Sequence, residues 1–439
     1  MTVTESVAES LEQLQPVAAR TIIEYLRRGS VPVDQVPLFT VGRERWLRII
    51  EDDLTHYIAA GGAKVRFVNG DYGDGKTHFL SVIQHLVQQG GFAVSFVILT
   101  REIPLHKFEL VYREIVSRLA TASGIRGMRG LMTHWLDGLQ PHFDAVADAA
   151  ARLESLETLA ETLRGLEDMD VNFANGLIAL MRNRFLPLTE VETPETREGE
   201  RQTLYEWFEG GRLSKKELRP WQIFDTLNKT NSKRLLLSLI VFLRHLGYQG
   251  LILLLDELET VLGQSASVRN AAYENVRLFI DNAEQAHHLH VFFSIIPDVI
   301  LAEKGFKSYD ALWSRVRSVG ESRRLNYRSI VIDLHRTPLE APELLALGQR
   351  LRYIHACAYR WDAAAVMTDA FIQQVCDTQQ RMGLLAEVRL FIKQIIRYLD
   401  MAEQDGTLEG VDLTDQIVAV QHEIAQEKGV VQAPPAWDA

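Results

Sequence analysis

The sequence predicts an α/β protein in which a largely parallel sheet is flanked by helices. Two observations support this fold class. Apolar runs of strand length stand at residues 65–68, 92–99, 251–255, 290–296 and 330–334. Apolar residues at helical spacing fill the segments between them and predict helices there, as in residues 79–87 and 108–122. Strands that alternate with helices are typical of βαβ units, which place helices on both faces of a parallel sheet.

The first apolar run leads directly into a glycine-rich loop. The loop reads Gly70, Asp71, Tyr72, Gly73, Asp74, Gly75, Lys76 and Thr77, which fits the Walker A pattern G-x-x-x-x-G-K-[ST]. Glycines let the backbone curl so that several N–H groups point at phosphate oxygens, and the following helix adds the positive end of its dipole. A chance glycine turn is disfavoured because a strand precedes the loop and a helix follows it. The loop therefore predicts ATP binding, with Lys76 at the β- and γ-phosphates and Thr77 as a ligand of Mg²⁺.

A second chemical signal lies at the end of the apolar run 251–255, where Asp256 and Glu257 follow. Alone, two acids at a strand end would indicate a solvated terminus. Downstream of a phosphate-binding loop they form a Walker B pattern, in which Asp256 holds the Mg²⁺ and Glu257 orients and polarises the attacking water. Lys76 and Glu257 are therefore the predicted catalytic residues, and Thr77 and Asp256 the predicted metal ligands.

Four further residues are candidates for contact with the nucleotide. Gly42 and Arg43 precede a predicted helix, and they lie either over the adenine or in a surface turn. Ser294 is the small polar residue of the apolar run 290–296, which makes it a candidate sensor of the γ-phosphate if this strand lies between the other two motif strands. Arg389 begins the predicted helix 385–400, where it either meets the γ-phosphate or is solvated.

Basic residues concentrate in two stretches. The first comprises Arg315, Arg317, Arg323, Arg324 and Arg328. One of these enters the neighbouring subunit's nucleotide site as an arginine finger, faces DNA phosphates, or forms surface ion pairs. The second comprises Lys215, Lys216, Arg219, Lys229, Lys233 and Arg234. It forms either a solvated helix face or a contact with DNA or a partner.

Composition limits the class of protein. The 439 residues predict two or three domains, and 47% hydrophobic with 24% charged residues is ordinary for a globular chain. A net charge of −11 means that any DNA contact uses a local basic face. The two cysteines, Cys357 and Cys376, lack zinc spacing and fit a reducing compartment. With neither a membrane-spanning run nor a signal-peptide pattern, we expect a cytoplasmic protein without membrane contact.

The pattern of elements predicts four parts. An N-terminal helical segment occupies residues 1–64, and the sheet core is formed by residues 65–123 and 248–337. Residues 124–247 read as a helical insertion, in which 185–202 are polar and contain two prolines and are therefore assigned to a loop. Residues 338–439 are a helical lid with a tail.

The motifs together carry a resemblance that extends from about residue 17 to about residue 400. In order they read IIEYLRRGSVP, LFTVGR, FVNGDYGDGKTHFL, GYQGLILLLDELE and YENVRLFID. This resembles the ATP-binding proteins of the BrxC/BrxD type from bacterial BREX phage-defence loci, and the length suggests the BrxD kind. More broadly, the chain is similar to AAA+ ATPases related to the origin-recognition proteins.

The resemblance carries over to individual residues. Lys76, Thr77, Asp256 and Glu257 match the ATP-site pattern of the family, and Gly42 with Arg43 matches its leading Gly-Arg. Ser294 and Arg389 match by their place in the order of elements. Too few residues follow the helix 385–400 for a winged-helix module, so DNA binding through such a module is not implied.

The resemblance implies an AAA+-like P-loop core with an insertion and a C-terminal lid. It also implies Mg²⁺-dependent ATP hydrolysis in anti-phage defence, with double-stranded DNA and helicase-like defence proteins as partners and assembly into a homo-oligomer if the arginine finger acts in trans. The alternative is a nucleotide-gated scaffold or DNA-binding protein, for which ATP binding rather than turnover matters. A small-molecule kinase is disfavoured because nothing in the sequence supplies an acceptor site.

Overall fold

The computed structural model describes residues 11–146, 148–281, 286–317, 325–384 and 387–432. Its strands are Ala63–Asn69 (β1), Ala93–Ile98 (β2), Leu119–Ala120 (β3), Leu251–Asp256 (β4), Leu289–Ile295 (β5) and Val331–Asp333 (β6). Its α-helices up to the end of the predicted insertion are Pro16–Arg27 (α1), Glu44–Asp53 (α2), Lys76–Gln89 (α3), Phe108–Ser117 (α4), Gly127–Asp144 (α5), Ala149–Arg164 (α6), Val171–Phe185 (α7), Pro194–Phe208 (α8), Lys215–Leu218 (α9) and Ser232–His245 (α10). The later ones are Ala266–Asp281 (α11), Pro297–Leu301 (α12), Asp310–Val316 (α13), Ala341–Tyr359 (α14), Ala363–Val366 (α15), Asp369–Arg381 (α16), Val388–Asp405 (α17) and Leu413–Gln432 (α18).

The strands of the described residues form one six-stranded sheet in the order β3-β2-β4-β5-β1-β6. β4 is parallel to both β2 and β5, whereas the short edge strand β3 is antiparallel to β2. The register sets Ile98 opposite Asp256 and Leu255 opposite Phe293. β5 therefore stands between the strand that precedes the glycine-rich loop and the strand that ends in Asp256. The predicted fold class, a mostly parallel sheet flanked by helices, is confirmed.

Burial explains why the central strands read as continuous apolar runs. Every residue of β4 and of β5 is buried, which requires that both faces of each strand be packed. The rings of Phe67 on β1 and Phe293 on β5 stack with their centroids 5.6 Å apart. Each fully buried side chain of this size contributes about 1.5–3 kcal/mol relative to exposure.

Contacts divide the chain into two compact units. The first comprises Met1–Leu47, Val68–His85 and Ile332–Ala439, and the second comprises Arg48–Phe67 and Leu86–Val331, with only the described residues considered. The division crosses the chain within β1 and β6, and β2 to β5 belong to the second unit. The glycine-rich loop thus belongs to the first unit and the acidic end of β4 to the second.

The first unit has a helical core built on α1, α14 and α17. Pro16 occupies the first turn of α1, where its missing N–H is tolerated, and Ile22 and Ile23 are fully buried. They belong to one apolar cluster with Leu351 of α14 and Phe391 of α17. This packing places the start of α17, and with it Arg389, within the same unit as the glycine-rich loop.

The predicted loop over residues 185–202 is wrong for its second half, because α8 begins at Pro194. Thr193 caps the helix, its Oγ1 accepting a hydrogen bond from the N–H of Thr196 at 3.2 Å. Proline at the first helical position needs no hydrogen bond of its own, so here it starts a helix rather than breaking one.

Two other local predictions also need correction. The helix predicted over residues 108–122 ends at Ser117, and Leu119–Ala120 pairs with β2 instead. The polar stretch that follows α17 contains the 20-residue helix Leu413–Gln432, which the sequence analysis did not assign. Ile417 and Val420 of this helix are buried against Leu390 of α17.

Gly250, immediately before β4, is expected to tolerate no side chain. Its φ is +146°, and a Cβ there would overlap the carbonyl oxygen of His288. We expect Gly250→Ala to lower the free energy of unfolding by about 2–4 kcal/mol, seen as a lower thermal midpoint. Gly138→Ala is the control, because a Cβ at this helical position in α5 meets nothing within 4 Å and alanine favours helix by up to about 1 kcal/mol. Equal midpoints for the two variants would contradict this prediction.

Candidate functional site

The glycine-rich loop of the first unit has the curled backbone that phosphate binding requires. Gly73 and Gly75 have φ values of +102° and +87°, which side chains rarely adopt. The N–H of Asp71 donates to Asp74 Oδ2 at 2.7 Å, and α3 begins at Lys76. The helix therefore presents its N-terminal end and its dipole directly after the loop.

Backbone carbonyls of the glycine-rich loop hold the ammonium group of Lys76. Its Nζ donates to the carbonyl oxygens of Gly70 at 3.0 Å and Asp71 at 3.2 Å, and it lies 5.1 Å from the ring centroid of Tyr72. The side chain is 7% exposed. The ammonium group is thus oriented by backbone carbonyls, which fixes a positive charge within the loop.

Gly42 and Arg43 have backbone φ values of +66° and +70°. Arg43 Nη1 donates to Thr337 Oγ1 at 3.4 Å, and the indole N–H of Trp46 donates to the same oxygen at 3.2 Å. Burial lowers the pKa of Arg43, opposed by Glu343, Asp74 and Glu44. The Gly-Arg pair is therefore anchored inside the first unit, with Asp74 of the loop nearby. Contact with the adenine stays a prediction.

His78 is a residue of this region that the sequence analysis did not single out. Its Nε2 lies 3.0 Å from Thr40 Oγ1, and its ring centroid lies 5.2 Å from that of Phe39. Desolvation, with a smaller effect of Arg43, lowers the pKa of His78 to about 4. The imidazole is therefore neutral at physiological pH. The sequence signal that could have identified His78 is its position directly after Lys76 and Thr77, in the first turn of α3.

Arg389 lies beside the glycine-rich loop in the first unit. A Cβ at Gly29 would collide with the guanidinium of Arg389, and a Cβ at Gly73 would lie 3.7 Å from Arg389 Cβ. The side chain thus runs from the loop to the end of α1. Contact of Arg389 with a γ-phosphate stays a prediction.

His335 is a second residue of the loop's surroundings that was not predicted. Its Nδ1 lies 3.3 Å from Asp71 Oδ2 and 3.5 Å from Asp74 Oδ2. His335 follows β6 at its carboxyl end, the position at which α/β sheets place ligand-binding residues. Applying that rule to the apolar run 330–334 would have found it.

The acidic end of β4 forms a hydrogen-bonded cluster in the second unit. Asp256 is 2% exposed and Ser294 is fully buried. Ser294 Oγ donates to Asp256 Oδ1 and accepts from the N–H of Glu257 at 3.0 Å. This contact follows from the register, because Ser294 comes one residue after Phe293, the partner of Leu255. Ser294 therefore orients the acidic pair, and its contact with a phosphate stays a prediction.

Glu257 has a backbone conformation that is unfavourable for its residue type. Its φ and ψ are +64° and +39°, the left-handed region, which costs roughly 1–2 kcal/mol for a residue with a side chain. The N–H also lies 3.0 Å from Asp256 Oδ1, and the carbonyl accepts from Thr260 Oγ1 at 2.9 Å. Strain maintained by several hydrogen bonds is typical of functional positions.

The predicted magnesium ligands offer suitable donors. Mg²⁺ prefers oxygen ligands and keeps several waters, so it needs few groups from the protein. Thr77 supplies a hydroxyl in the first turn of α3, and Asp256 supplies a carboxylate at the end of β4. Thr77 and Asp256 therefore both carry donor atoms that suit Mg²⁺. Thr77 belongs to the first unit and Asp256 to the second.

Surface ion pairs account for part of the basic stretches. Arg315 pairs with Asp281, its Nη2 donating to Oδ2 at 2.9 Å, and Arg328 Nη2 donates to Asp52 at 2.9 Å. These contacts favour the surface-pair interpretation for both arginines. Arg323 and Arg324 lie outside the described residues, whereas Arg317 is exposed.

The second basic stretch also contains paired side chains. Lys215 Nζ lies 3.3 Å from Asp225 Oδ1, and Arg234 Nε lies 2.5 Å from Asp170 Oδ2. Lys233 Nζ donates to Asn275 Oδ1 at 2.9 Å. These three cations serve intramolecular contacts, which favours a solvated helix face over a DNA surface at their positions.

Comparison with protein families decides the class of protein. Residues 14–417 match the model of the family described as BREX system ATP-binding protein BrxC/D. The chain belongs to this family. Searches of curated proteins and of solved structures give no significant match. Membership in the BrxC/D family implies an ATP-binding role in phage defence, alongside other proteins of the BREX system.

The family assignment agrees with the ATP-binding loop expected from the sequence, and the sheet fits a P-loop-like core. Within the part of the chain that the structure describes, no helix combines the length and the apolar character needed to span a membrane.

Proposed function

We propose that this BrxC/D-family chain is of the BrxD kind and is a Mg²⁺-dependent ATPase with an AAA+-like core. Lys76 and the N–H groups of the loop bind the phosphates, and Thr77 and Asp256 hold Mg²⁺. Glu257 polarises the attacking water, and Ser294 and Arg389 contact the γ-phosphate. Gly42 and Arg43 contact the adenine. The pairing of the two motifs along the chain supports a single ATP site.

The observation that carries hydrolysis, rather than binding alone, is the constrained position of Glu257. A solvated glutamate at a strand end has no reason to adopt a left-handed backbone. Here the main chain is held by Asp256, Ser294 and Thr260. A general base must be held in one orientation toward its proton, which is what such constraints provide.

The direct test is phosphate release by the purified chain with ATP, with Mg²⁺ or with excess EDTA, and with or without duplex DNA. We expect turnover that requires Mg²⁺. Binding of ATP without turnover under every condition would favour the nucleotide-gated scaffold, in which the bound state holds DNA or defence partners. Absence of both binding and turnover would overturn the proposal.

Double-stranded DNA, helicase-like defence proteins and further copies of the chain are the proposed partners. Arg317, exposed at the end of α13, is the described arginine that best suits a finger acting in trans. Measuring the mass in solution with and without ATP and duplex DNA tests this proposal. Assembly that depends on ATP supports a finger from a neighbouring subunit, whereas a monomer under all conditions removes it.

A further inference from the structure

Two carboxylates stand in a loop whose proposed task is to bind an anion. Asp71 and Asp74 occupy two of the four x positions in the G-x-x-x-x-G-K-[ST] pattern of the glycine-rich loop. Asp74 is 8% exposed. A carboxylate near a phosphate opposes binding, and the repulsion is stronger where water is excluded. A group that offsets or redirects these charges would therefore favour phosphate binding.

His335 is the group that meets both carboxylates. One nitrogen, Nδ1, lies 3.3 Å from Asp71 Oδ2 and 3.5 Å from Asp74 Oδ2. Asp74 Oδ2 also accepts from the N–H of Asp71 at 2.7 Å. The imidazole and the loop amide thus hold the carboxylates in a fixed arrangement, all within the first unit.

The backbone holds His335 in this position. The N–H of Leu334 donates to the carbonyl of Asn69 at 2.8 Å, which ties the turn after β6 to the residue that precedes the loop. Asp333 then accepts from the N–H of Arg336 at 3.2 Å and, through its carbonyl, from Thr337 Oγ1 at 2.8 Å. A histidine on such a restrained turn is presented to the loop by main-chain geometry.

We propose that His335 is a positioning residue for the glycine-rich loop, which keeps the charges of Asp71 and Asp74 directed toward its imidazole and away from the nucleotide phosphates. This inference rests on the proposed ATP site. His335 itself does not touch the reacting atoms.

Other charged groups of the first unit share this environment. The loop contributes Lys76, the turn contributes Asp333 and Arg336, and α17 contributes Arg389 beside Gly73. Arg43 lies near enough to Asp74 to interact with its charge, and Glu343 lies near Arg43. Because these groups are common to all the variants below, comparison between variants isolates the effect of His335.

The test measures the affinity for a fluorescent ATP analogue with Mg²⁺ in a set of variants. We expect His335→Gln to weaken binding about tenfold, or about 1.4 kcal/mol, because the flexible glutamine side chain does not hold both carboxylates in place. His335→Lys should stay within about threefold of wild type. Adding Asp71→Asn to His335→Gln should restore most of the loss. His422→Gln, at an exposed position of α18, is the control.

The thermal midpoint provides a second readout. A role of His335 confined to folding would lower the midpoint of His335→Gln, and Asp71→Asn would not restore its affinity for the nucleotide.

Three outcomes would overturn the inference. These are wild-type affinity in His335→Gln, a loss that Asp71→Asn leaves unchanged, and stoichiometric Mn²⁺ binding without nucleotide that His335→Gln abolishes. The last would make the Asp71–Asp74–His335 cluster a cation site. A wild-type chain that binds no ATP would instead overturn the proposed function, and this inference with it.

Discussion

Lys76→Ala is expected to weaken ATP binding at least about 100-fold, equivalent to about 2.7 kcal/mol. The substitution removes the ammonium that two loop carbonyls orient, and hydrogen bonds to charged groups are worth about 1.5–3 kcal/mol each. Calorimetry with Mg²⁺-ATP measures the loss. Hydrolysis should fall with binding, because the phosphates lose the charge that neutralises them.

Two controls separate a binding defect from a folding defect. Lys76→Met retains the aliphatic stem and should show the same loss of affinity with a thermal midpoint near that of wild type. Lys216→Ala removes an exposed lysine of the second unit and should leave ATP affinity unchanged. Wild-type affinity in both Lys76 variants would remove the glycine-rich loop from the ATP site.

Glu257→Gln is expected to reduce ATP hydrolysis by about 10²–10⁴-fold, the usual contribution of a positioned general base. Glutamine has the same shape and leaves the backbone bonds to Ser294 and Thr260 in place. Affinity for ATP should therefore stay within about threefold of wild type. Single-turnover measurement of phosphate release separates the chemical step from binding and product release.

The strained backbone of Glu257 allows a second substitution at this position to be tested. Glu257→Gly should raise the free energy of unfolding by about 1 kcal/mol, because glycine adopts the left-handed conformation without strain. The same variant should lose hydrolysis as fully as Glu257→Gln. Glu303→Gln, an exposed glutamate of the same unit, is the control. Normal turnover in Glu257→Gln would assign the base to another residue.

Together the two substitutions distinguish a motor or switch from a nucleotide-gated scaffold. Phage restriction by cells carrying Glu257→Gln reports whether turnover matters, and restriction by cells carrying Lys76→Ala reports whether binding matters. Loss in both supports the ATPase. If phage restriction persists with Glu257→Gln but is lost with Lys76→Ala, the ATP-bound state rather than hydrolysis is what the defence requires.

The elements that the sequence predicted well are those with a strong local signal. The run LILLL before Asp256 became a fully buried parallel strand, and β2 and β5 lie within one residue of their predicted bounds. The helix after the glycine-rich loop begins at Lys76 as expected. Periodicity and glycine spacing are properties of a few consecutive residues, and they need no knowledge of distant contacts.

The errors occurred where distant contacts decide the local structure. Leu119 and Ala120 form an edge strand only because β2 offers them a partner. Polar residues after Pro194 form a helix that continues into Leu204, Trp207 and Phe208, which are buried in the apolar core of the second unit. The helix Leu413–Gln432 is partly stabilised by burying a few side chains against α17. Tertiary packing overrides local propensity in such segments.

The sequence by itself determined the α/β class, the glycine-rich loop and the acidic strand end, because each is set by a pattern of a few consecutive residues. Only the tertiary structure showed that Ser294 orients Asp256 and Glu257, that Arg389 and the Gly42–Arg43 pair are packed within the unit that holds the loop, and that His335 meets Asp71 and Asp74. Strand register and helix packing join residues that are tens to hundreds of positions apart. The number of residues between two positions in the sequence does not determine the distance between them in the folded chain.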